Sequence, residues 1–299
     1  MSGKLGDVEK RIGTVHQLDA VISAMRGIAA ARVHEARGRL DGVRGYASVV
    51  GAAIGEALAL AAQAADTEAP SHGSGGHIVI VLCAEQGFAG SFSQRVLDRA
   101  IQVLKRGSAE LFLVGDRGAM IARERNLSFG WSAPMVVHAD EAPRLANRIA
   151  DALYDRLQAG HARRVTSVYA SPGPSGVIEI VEQALLPFDF SRFHVRPTAI
   201  PPIVTLPPER LLAELAEEYV YAELCAAVML SYAAENEARM QAMIAARTNV
   251  GNKLAELVGA YRSLRQDEIT AEIMELSVGT DSTEPVRSRR ANGSWGQRS

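Results

Sequence analysis

His77-Ile78-Val79-Ile80-Val81-Leu82 is a short, continuously apolar run of the kind found in a strand buried on both faces. It is followed by helical spacing over Gln94 to Arg106, a second strand at Glu110 to Val114, and a helix at Arg117 to Arg125. A strand at Met135 to His138, a helix at Ala142 to Gln158 and a strand at Arg163 to Ala170 continue the alternation, and the Ile-rich stretch Gly176 to Leu186 adds a further strand. Alternating strands and helices predict an α/β fold, here a small doubly wound domain over residues 77–186.

Outward from this domain the pattern changes on both sides. On the N-terminal side Val8, Ile12, Val15, Ile22, Met25, Ala29, Ala36, Leu40, Val43, Ala47, Val50, Ile54 and Leu58 fall at steps of three, four and seven, one narrow helical stripe. A continuous helix there runs about 80 Å at 1.5 Å per residue. Gly38, Gly42, Gly45, Gly51 and Gly55 dilute it, each at about 1 kcal/mol relative to Ala, which predicts a bend or break near Gly42 to Gly45. On the C-terminal side Pro207-Pro208-Glu209 opens a second helix. Its apolar positions run from Leu211 through Met229, Met240, Leu257 and Leu264 to Leu276. An isolated stripe of this length leaves its seam in water, so the expectation is one long antiparallel coiled coil made by the two ends of the chain. The expected segments are residues 1–63 (first helix), 77–186 (central domain), 187–208 (a Pro-rich connection), 209–279 (second helix) and 280–299 (a disordered tail). The Ser/Gly-rich stretch between Ala64 and Gly76 reads as an exposed linker.

Lys+Arg 32 against Asp+Glu 34, a formal net charge of -2, argues against nucleic acid as main partner. Cys83 and Cys225 lie in apolar stretches, which suits a reducing compartment and a structural role for Cys83. The start Met1 to Arg11 lacks an apolar signal region, and no uncharged apolar run reaches a bilayer-spanning length, so membrane association is expected through partners only.

Chemistry-bearing patterns are sparse. The loop Cys83-Ala84-Glu85-Gln86-Gly87-Phe88-Ala89-Gly90-Ser91 follows the first strand, where glycine-rich turns cradle phosphate, yet it is neither G-x-G-x-x-G nor followed by G-K-[ST]. Gly115-Asp116-Arg117-Gly118 reads as a strand exit with Asp116 capping the next helix. The seven histidines form no metal-ligand spacing, and Ser175 reads as turn chemistry. Two readings stay open from the residues: an α/β nucleotide-binding enzyme using the Gly87 to Gly90 loop, and a coiled-coil scaffold.

Along the second helix stand Ala234-Glu235-Asn236-Glu237-Ala238-Arg239-Met240-Gln241-Ala242-Met243, Ala245-Ala246-Arg247-Thr248-Asn249 and Tyr261-Arg262-Ser263-Leu264-Arg265-Gln266-Asp267-Glu268-Ile269-Thr270-Ala271-Glu272-Ile273. Together with Ile22-Ser23-Ala24-Met25-Arg26 on the first helix, the Cys83 to Phe92 loop and Val114-Gly115-Asp116-Arg117-Gly118, they resemble the gamma subunit family of the F-type ATP synthase. The likeness runs from about Leu5 to Gly279, with Ala20 and Ser23 at two positions where the family carries lysines, and Arg247-Thr248 where T-D is usual.

The resemblance implies a divergent, non-catalytic rotor shaft without a cofactor of its own. Its implied partners are the alpha and beta subunits of the F1 hexamer, an epsilon subunit and the membrane c-ring, at the cytoplasmic face of the bacterial plasma membrane. It further implies that Met25 and Arg239 lie near the level where the ring's lower levers touch the shaft. Arg265, Gln266, Thr270 and Glu272 are implied as upper contacts to the catalytic subunits. Arg26 and Arg32 are further contact candidates.

Overall fold

The computed structural model describes residues 2–64, 75–195 and 203–281. Most of the linker read between Ala64 and Gly76, part of the Pro-rich connection and nearly all of the C-terminal tail lie outside the described residues. The described chain is mixed α/β, with a long helix at each end: α1 at Ser2–Ala64 and α5 at Pro208–Asp281. Between them come β1 (His77–Leu82), α2 (Phe92–Leu104), β2 (Glu110–Val114), α3 (Asp116–Glu124) and β3 (Trp131–Ala133). Then follow α4 (Ala142–Gln158), β4 (Arg164–Pro172) and β5 (Ile178–Leu186).

The five strands form one sheet in the order β3-β2-β1-β4-β5. β1 pairs in parallel with β2 and β4, β2 with β3, and β5 closes the far edge antiparallel to β4. Alternation along β1 assigns its side chains to two cores. Ile78, Ile80 and Leu82 pack with α4 and with residues of α1 and α5, whereas Val79 and Val81 pack with α2 and α3. A strand covered on both sides has no use for polar alternation, which is why His77 to Leu82 reads as an unbroken apolar run.

Three expectations change. The strand placed at Met135 to His138 is instead Trp131–Ala133. Pro134 has no N–H to continue the ladder, and the amides beyond it are claimed by carboxylates: Met135 N–H donates to Glu85 Oε2 at 2.7 Å, and Val137 and His138 N–H donate to Glu141 Oε2 at 3.0 and 3.1 Å. Those bonds hold the Glu141 carboxyl below its ordinary range, with the His138 amide the largest cause. Nor does Asp116 cap α3. Gly115 is the N-cap, no side chain caps from that position, and the N–H of Asp116 is satisfied by Glu85 Oε2 at 3.1 Å.

The break foreseen near Gly42 to Gly45 does not occur, and α1 continues through 63 residues. Ala36, Leu40, Val50, Ile54 and Ala57 on either side of those glycines are buried, and tertiary packing of that stripe outweighs the helix-propensity cost. Between Lys4 and Ala61 this helix is long and apolar enough, by length and composition, to cross a membrane. Its run is interrupted by Glu56, and its face at Val50, Ile54 and Ala57 is covered by protein.

The chain divides into two compact units, one containing α1 up to Val21 with α5 from Arg247, the other Ile22–Ala246. In the larger unit Tyr46 Oη donates to a Glu218 carboxylate oxygen, and Arg37 meets Glu237 at 3.3 Å. Descending α1 thus corresponds to ascending α5, so the two helices are antiparallel. In the smaller unit Arg247 pairs with Asp19 at 3.3 Å, which gives the unusual arginine at that position a partner on α1.

Cys83 is tightly packed within the sheet domain. It is buried beneath α3, burial pushes its thiol far above the ordinary range, and a Cβ added at Gly118 would lie 2.2 Å from its Cβ and 2.7 Å from its Sγ. Gly118→Ala therefore forces α3 off the sheet. The expected loss is about 1–3 kcal/mol, typical of an overpacked core, read as a lowered midpoint in urea unfolding. An unchanged midpoint would mean that α3 re-seats without cost.

Candidate functional site

In a parallel α/β sheet the natural ligand crevice lies beyond the carboxyl ends of the strands, where the winding direction reverses. Here that place is above β1, between the turns toward β2 and β4, and the loop Cys83 to Ser91 lies over it. The crevice is filled by the chain itself. Nine consecutive residues of α5, Ser231 to Arg239, are buried. Consecutive helical residues point in all directions, so this part of α5 is enclosed all round.

Enclosure would be unfavourable for such polar residues without partners, and each one bonded here has a specific one. Ser231 Oγ donates to Leu82 O at 3.2 Å, at the very end of β1, and Tyr232 Oη donates to Val137 O at 2.9 Å. Asn236 Nδ2 returns to Tyr232 O at 2.9 Å and its Oδ1 accepts from Arg239 Nη1 at 2.9 Å. The Arg239 guanidinium also donates to Glu235, one helical turn earlier, to Gly87 O at 3.3 Å and to Gln86 O at 3.4 Å. Glu235 Oε2 in turn accepts the Glu85 N–H at 3.4 Å. Through the Glu85 side chain the same knot reaches the amides of Asp116 and Met135, tying the loops after β1, β2 and β3 to α5.

Burial pushes the Glu235 carboxyl above its ordinary range, against the opposing pull of Arg239 and of the Glu85 and Gln86 amides. The Gly87 to Gly90 turn keeps only a small recess of about 80 Å³, lined by residues that include Phe88, Ser93 and Arg117. Phe88 stands at φ 64 and is exposed. The backbone carbonyls that shape this turn accept bonds from Arg239, so the loop is built as an attachment to α5 in place of a phosphate cradle. Among the described residues no group of three His, Cys, Asp or Glu side chains is arranged to hold a metal.

The candidate contact residues fall into two environments. In the larger unit Met25 and Arg32 are half-buried, Arg26 is exposed, and Arg239 is buried at 4% exposure, bonded to Glu235, Asn236, Gln86 and Gly87 of its own chain. In the smaller unit Arg265, Gln266, Thr270 and Glu272 are all exposed, on successive turns of α5, with Thr270 Oγ1 donating to Gln266 O at 2.8 Å. Ile269 and Ile273 stand exposed among them. Sequence reading passed over Glu85, Glu235 and Asn236 as parts of the knot. The one local signal was the i,i+4 spacing of Glu235 and Arg239, an ordinary helix pair until burial makes it a core element.

A family model described as ATP synthase matches residues 4–282. The ATP synthase gamma chain of Fuscovulum blasticum is 28% identical over 292 residues, covering 93% of this chain and 98% of the relative. That of a Parafrankia species is 29% identical over 298 residues, with 94% and 98% covered. The chain belongs to the ATP synthase gamma chain family. Identity below one third fits a divergent member of the gamma chain family, matched along nearly its whole length. Among solved structures, a chain of the Euglena gracilis mitochondrial ATP synthase, OSCP/F1/c-ring, in rotational state 3 superposes with a TM-score of 0.62 at 10% identity, over 97% of this chain and 100% of that one. A chain of the rotor of the same organism's enzyme in rotational state 1 gives 0.58 at 11% identity, over 90% and 100%. These two likenesses show that the fold is shared with those chains.

The buried pair makes a pH-dependent prediction. A carboxyl whose folded value is raised holds its proton more tightly in the folded protein than in the unfolded chain. Its contribution therefore favours folding fully below the unfolded carboxylate range and is lost as pH rises from there through the raised folded value. Arg239→Ala removes the charge that opposes this shift. It is expected to lower stability by about 3–5 kcal/mol near pH 8, where Glu235 is left as a lone buried carboxylate. By pH 5 the deficit shrinks as Glu235 takes up a proton. Urea titrations of variant and parent at the two pH values measure it, and an equal deficit at both would remove Glu235 as the cause.

Proposed function

We propose that this chain is the central rotor shaft of an F1 sector. On this reading it couples ion flow through a membrane ring to ATP synthesis or hydrolysis on surrounding catalytic subunits, without catalysing either itself. The observation that carries the proposal is the closure of the sheet's ligand crevice by Ser231 to Arg239, combined with polar residues displayed on the exposed far part of α5. With the sheet's ligand crevice filled by its own helix, the chain is left with its helix surfaces as working surfaces. Family membership supports the same conclusion, and an enzyme using the Gly87 to Gly90 loop would need space that Arg239 occupies from below.

On this reading residues 1–63 and 209–279 supply the shaft, residues 77–186 its globular domain and residues 187–208 the return connection, with residues 280–299 as a tail. Alpha and beta subunits surround the helices, and an epsilon subunit and the c-ring meet the globular end. The assembly stands at the cytoplasmic face of the plasma membrane, so membrane association comes through partners. Nucleotide and magnesium belong to the surrounding ring. Rotation then works by conformational coupling: each face of an asymmetric shaft favours a different state of each catalytic site. Met25, Arg26 and Arg32 are contacts nearer the globular domain, and Arg265, Gln266, Thr270 and Glu272 are contacts farther along α5. Arg239 serves the same end indirectly, by fixing the domain to α5.

Exposed polar contacts made only with the ring change turnover more than folding. Arg265→Ala with Gln266→Ala is expected to leave the melting temperature of the isolated chain within about 1 °C, since surface substitutions stay within about ±0.5 kcal/mol. In a complex reconstituted with alpha and beta subunits it lowers ATP-driven ion pumping. Failure of the parent chain to co-purify with those subunits would end the rotor reading, and unchanged pumping by the double variant would return both residues to solvated helix surface.

A further inference from the structure

The function proposed above uses neither the glycine-rich stretch Gly51 to Gly55 of α1 nor the aromatic segment Phe188 to His194. The fold brings the two together within the larger unit. Gly51 and Gly55 are one turn apart and share a face of α1, giving a shallow notch in an otherwise substituted helix. Into it the chain after β5 descends. A Cβ added at Gly51 would lie 3.2 Å from the Phe193 ring, and one added at Gly55 would lie 2.4 Å from the backbone carbonyl oxygen of His194. At Gly55 approach this close to backbone requires the absence of a side chain, and at Gly51 an added methyl would make the ring give by a few tenths of an ångström.

The segment is held from its other side by aromatic contacts. Phe193 stacks on Phe188 at 5.6 Å with an interplanar angle of 5°, and both rings meet Tyr219 of α5 edge-on, at 5.0 and 5.7 Å. Phe190 packs against Phe188 at 4.8 Å, and the Arg192 guanidinium lies 6.0 Å from the centre of the Tyr219 ring. One short connection thus grips α1 through a glycine notch and α5 through an aromatic cluster, directly beyond the last strand of the sheet. Offset and edge-on ring pairs resist sliding and twisting because their energy depends on geometry as well as area.

We infer that Phe188 to His194 is a torsional clamp, locking α1 and α5 to the sheet domain so that the three turn as one body. This rests on the rotor reading and adds the positioning residues that reading requires: Gly51, Gly55, Phe193 and Tyr219. The clamp stays closed through the cycle. Loosening it lets α1 slip against the domain, so ATP continues to be hydrolysed while fewer ions are moved per ATP.

The test uses the complete reconstituted complex in vesicles, carrying Gly51→Cys together with Phe193→Cys. The native thiols Cys83 and Cys225 are buried, so with surrounding subunits made cysteine-free the introduced pair is the target of a short bifunctional thiol reagent. Before cross-linking, the missing ring lowers ions pumped per ATP by about two- to thirty-fold, the range over which packed coupling elements act. After cross-linking, the ratio returns to that of the parent. A purely stabilising segment would alter melting in both states without separating pumping from hydrolysis. Gly55→Leu, which pushes the His194 backbone away, is expected to lower the same ratio and is not restored by the reagent. An unlinked variant with the parental ratio overturns the clamp, and so does a linked one that stops turning over, since the segment would then have to open. In either case the rotor reading stands as long as the parent complex assembles and pumps.

Discussion

A guanidinium taken out of water must have its donors answered, and Arg239 has them answered by Glu235 and Asn236 on its own helix and by two backbone carbonyls of the loop after β1. That requirement ties the sheet domain to α5. It sets the course of the Gln86 to Gly87 backbone, and with the loop so placed the Glu85 carboxylate reaches the amides that open α3 and follow β3. A buried ion pair adds little net stability over an apolar equivalent, but it is exacting about geometry. Leucines at these positions would hold α5 against the sheet in several registers, whereas a fork of donors matched to fixed carbonyls holds it in one.

The same contacts explain what fills the crevice of an architecture associated with nucleotide chemistry. The sheet keeps the parallel order and the glycine-bearing turn after its first strand, features that elsewhere leave a crevice at the switch point. In this chain the crevice receives a helix. The buried groups with displaced proton affinities are accordingly held by structural partners: the Cys83 thiol under α3, and Glu235 beside Arg239. Perturbed groups mark active sites only where they face a space that a substrate can enter, and these two face protein.

A division of labour between the two units follows. In the larger unit α5 is buried on every side near Ser231 to Arg239, and α1 is gripped through Gly51 and Gly55, so the helices are fastened to the domain at two levels. In the smaller unit the described helix surfaces are mostly exposed, and the cross-helix pair of Asp19 with Arg247 is a solvent-accessible ion pair worth little by itself. Buried contacts are concentrated around the sheet domain, and exposed polar side chains in the smaller unit.

Periodicity determined the class of fold. A strand with two buried faces, such as Ile78 to Leu82, cannot be written with alternating polar residues, and a helix as long as α5 cannot hide its three-to-four-residue stripe, so both were legible as sequence. The contact candidates Arg265, Gln266, Thr270 and Glu272 were legible through resemblance alone, since nothing in an exposed helix turn distinguishes a partner surface from solvated charge. What tertiary structure decided was everything that depends on residues far apart in the chain. The carboxylate satisfying the start of α3 is Glu85 and not Asp116, and Pro134 with the Glu85 bond to Met135 moved β3 forward to Trp131. Gly42 and Gly45 failed to break α1 because the stripe around them is packed. Arg239 became a core residue because Gln86 and Gly87, some 150 positions away, offer their carbonyls to it. Local sequence carries propensity and pattern, but whether a charge is buried, and who answers it, is a property of the contacts that only the folded chain brings together.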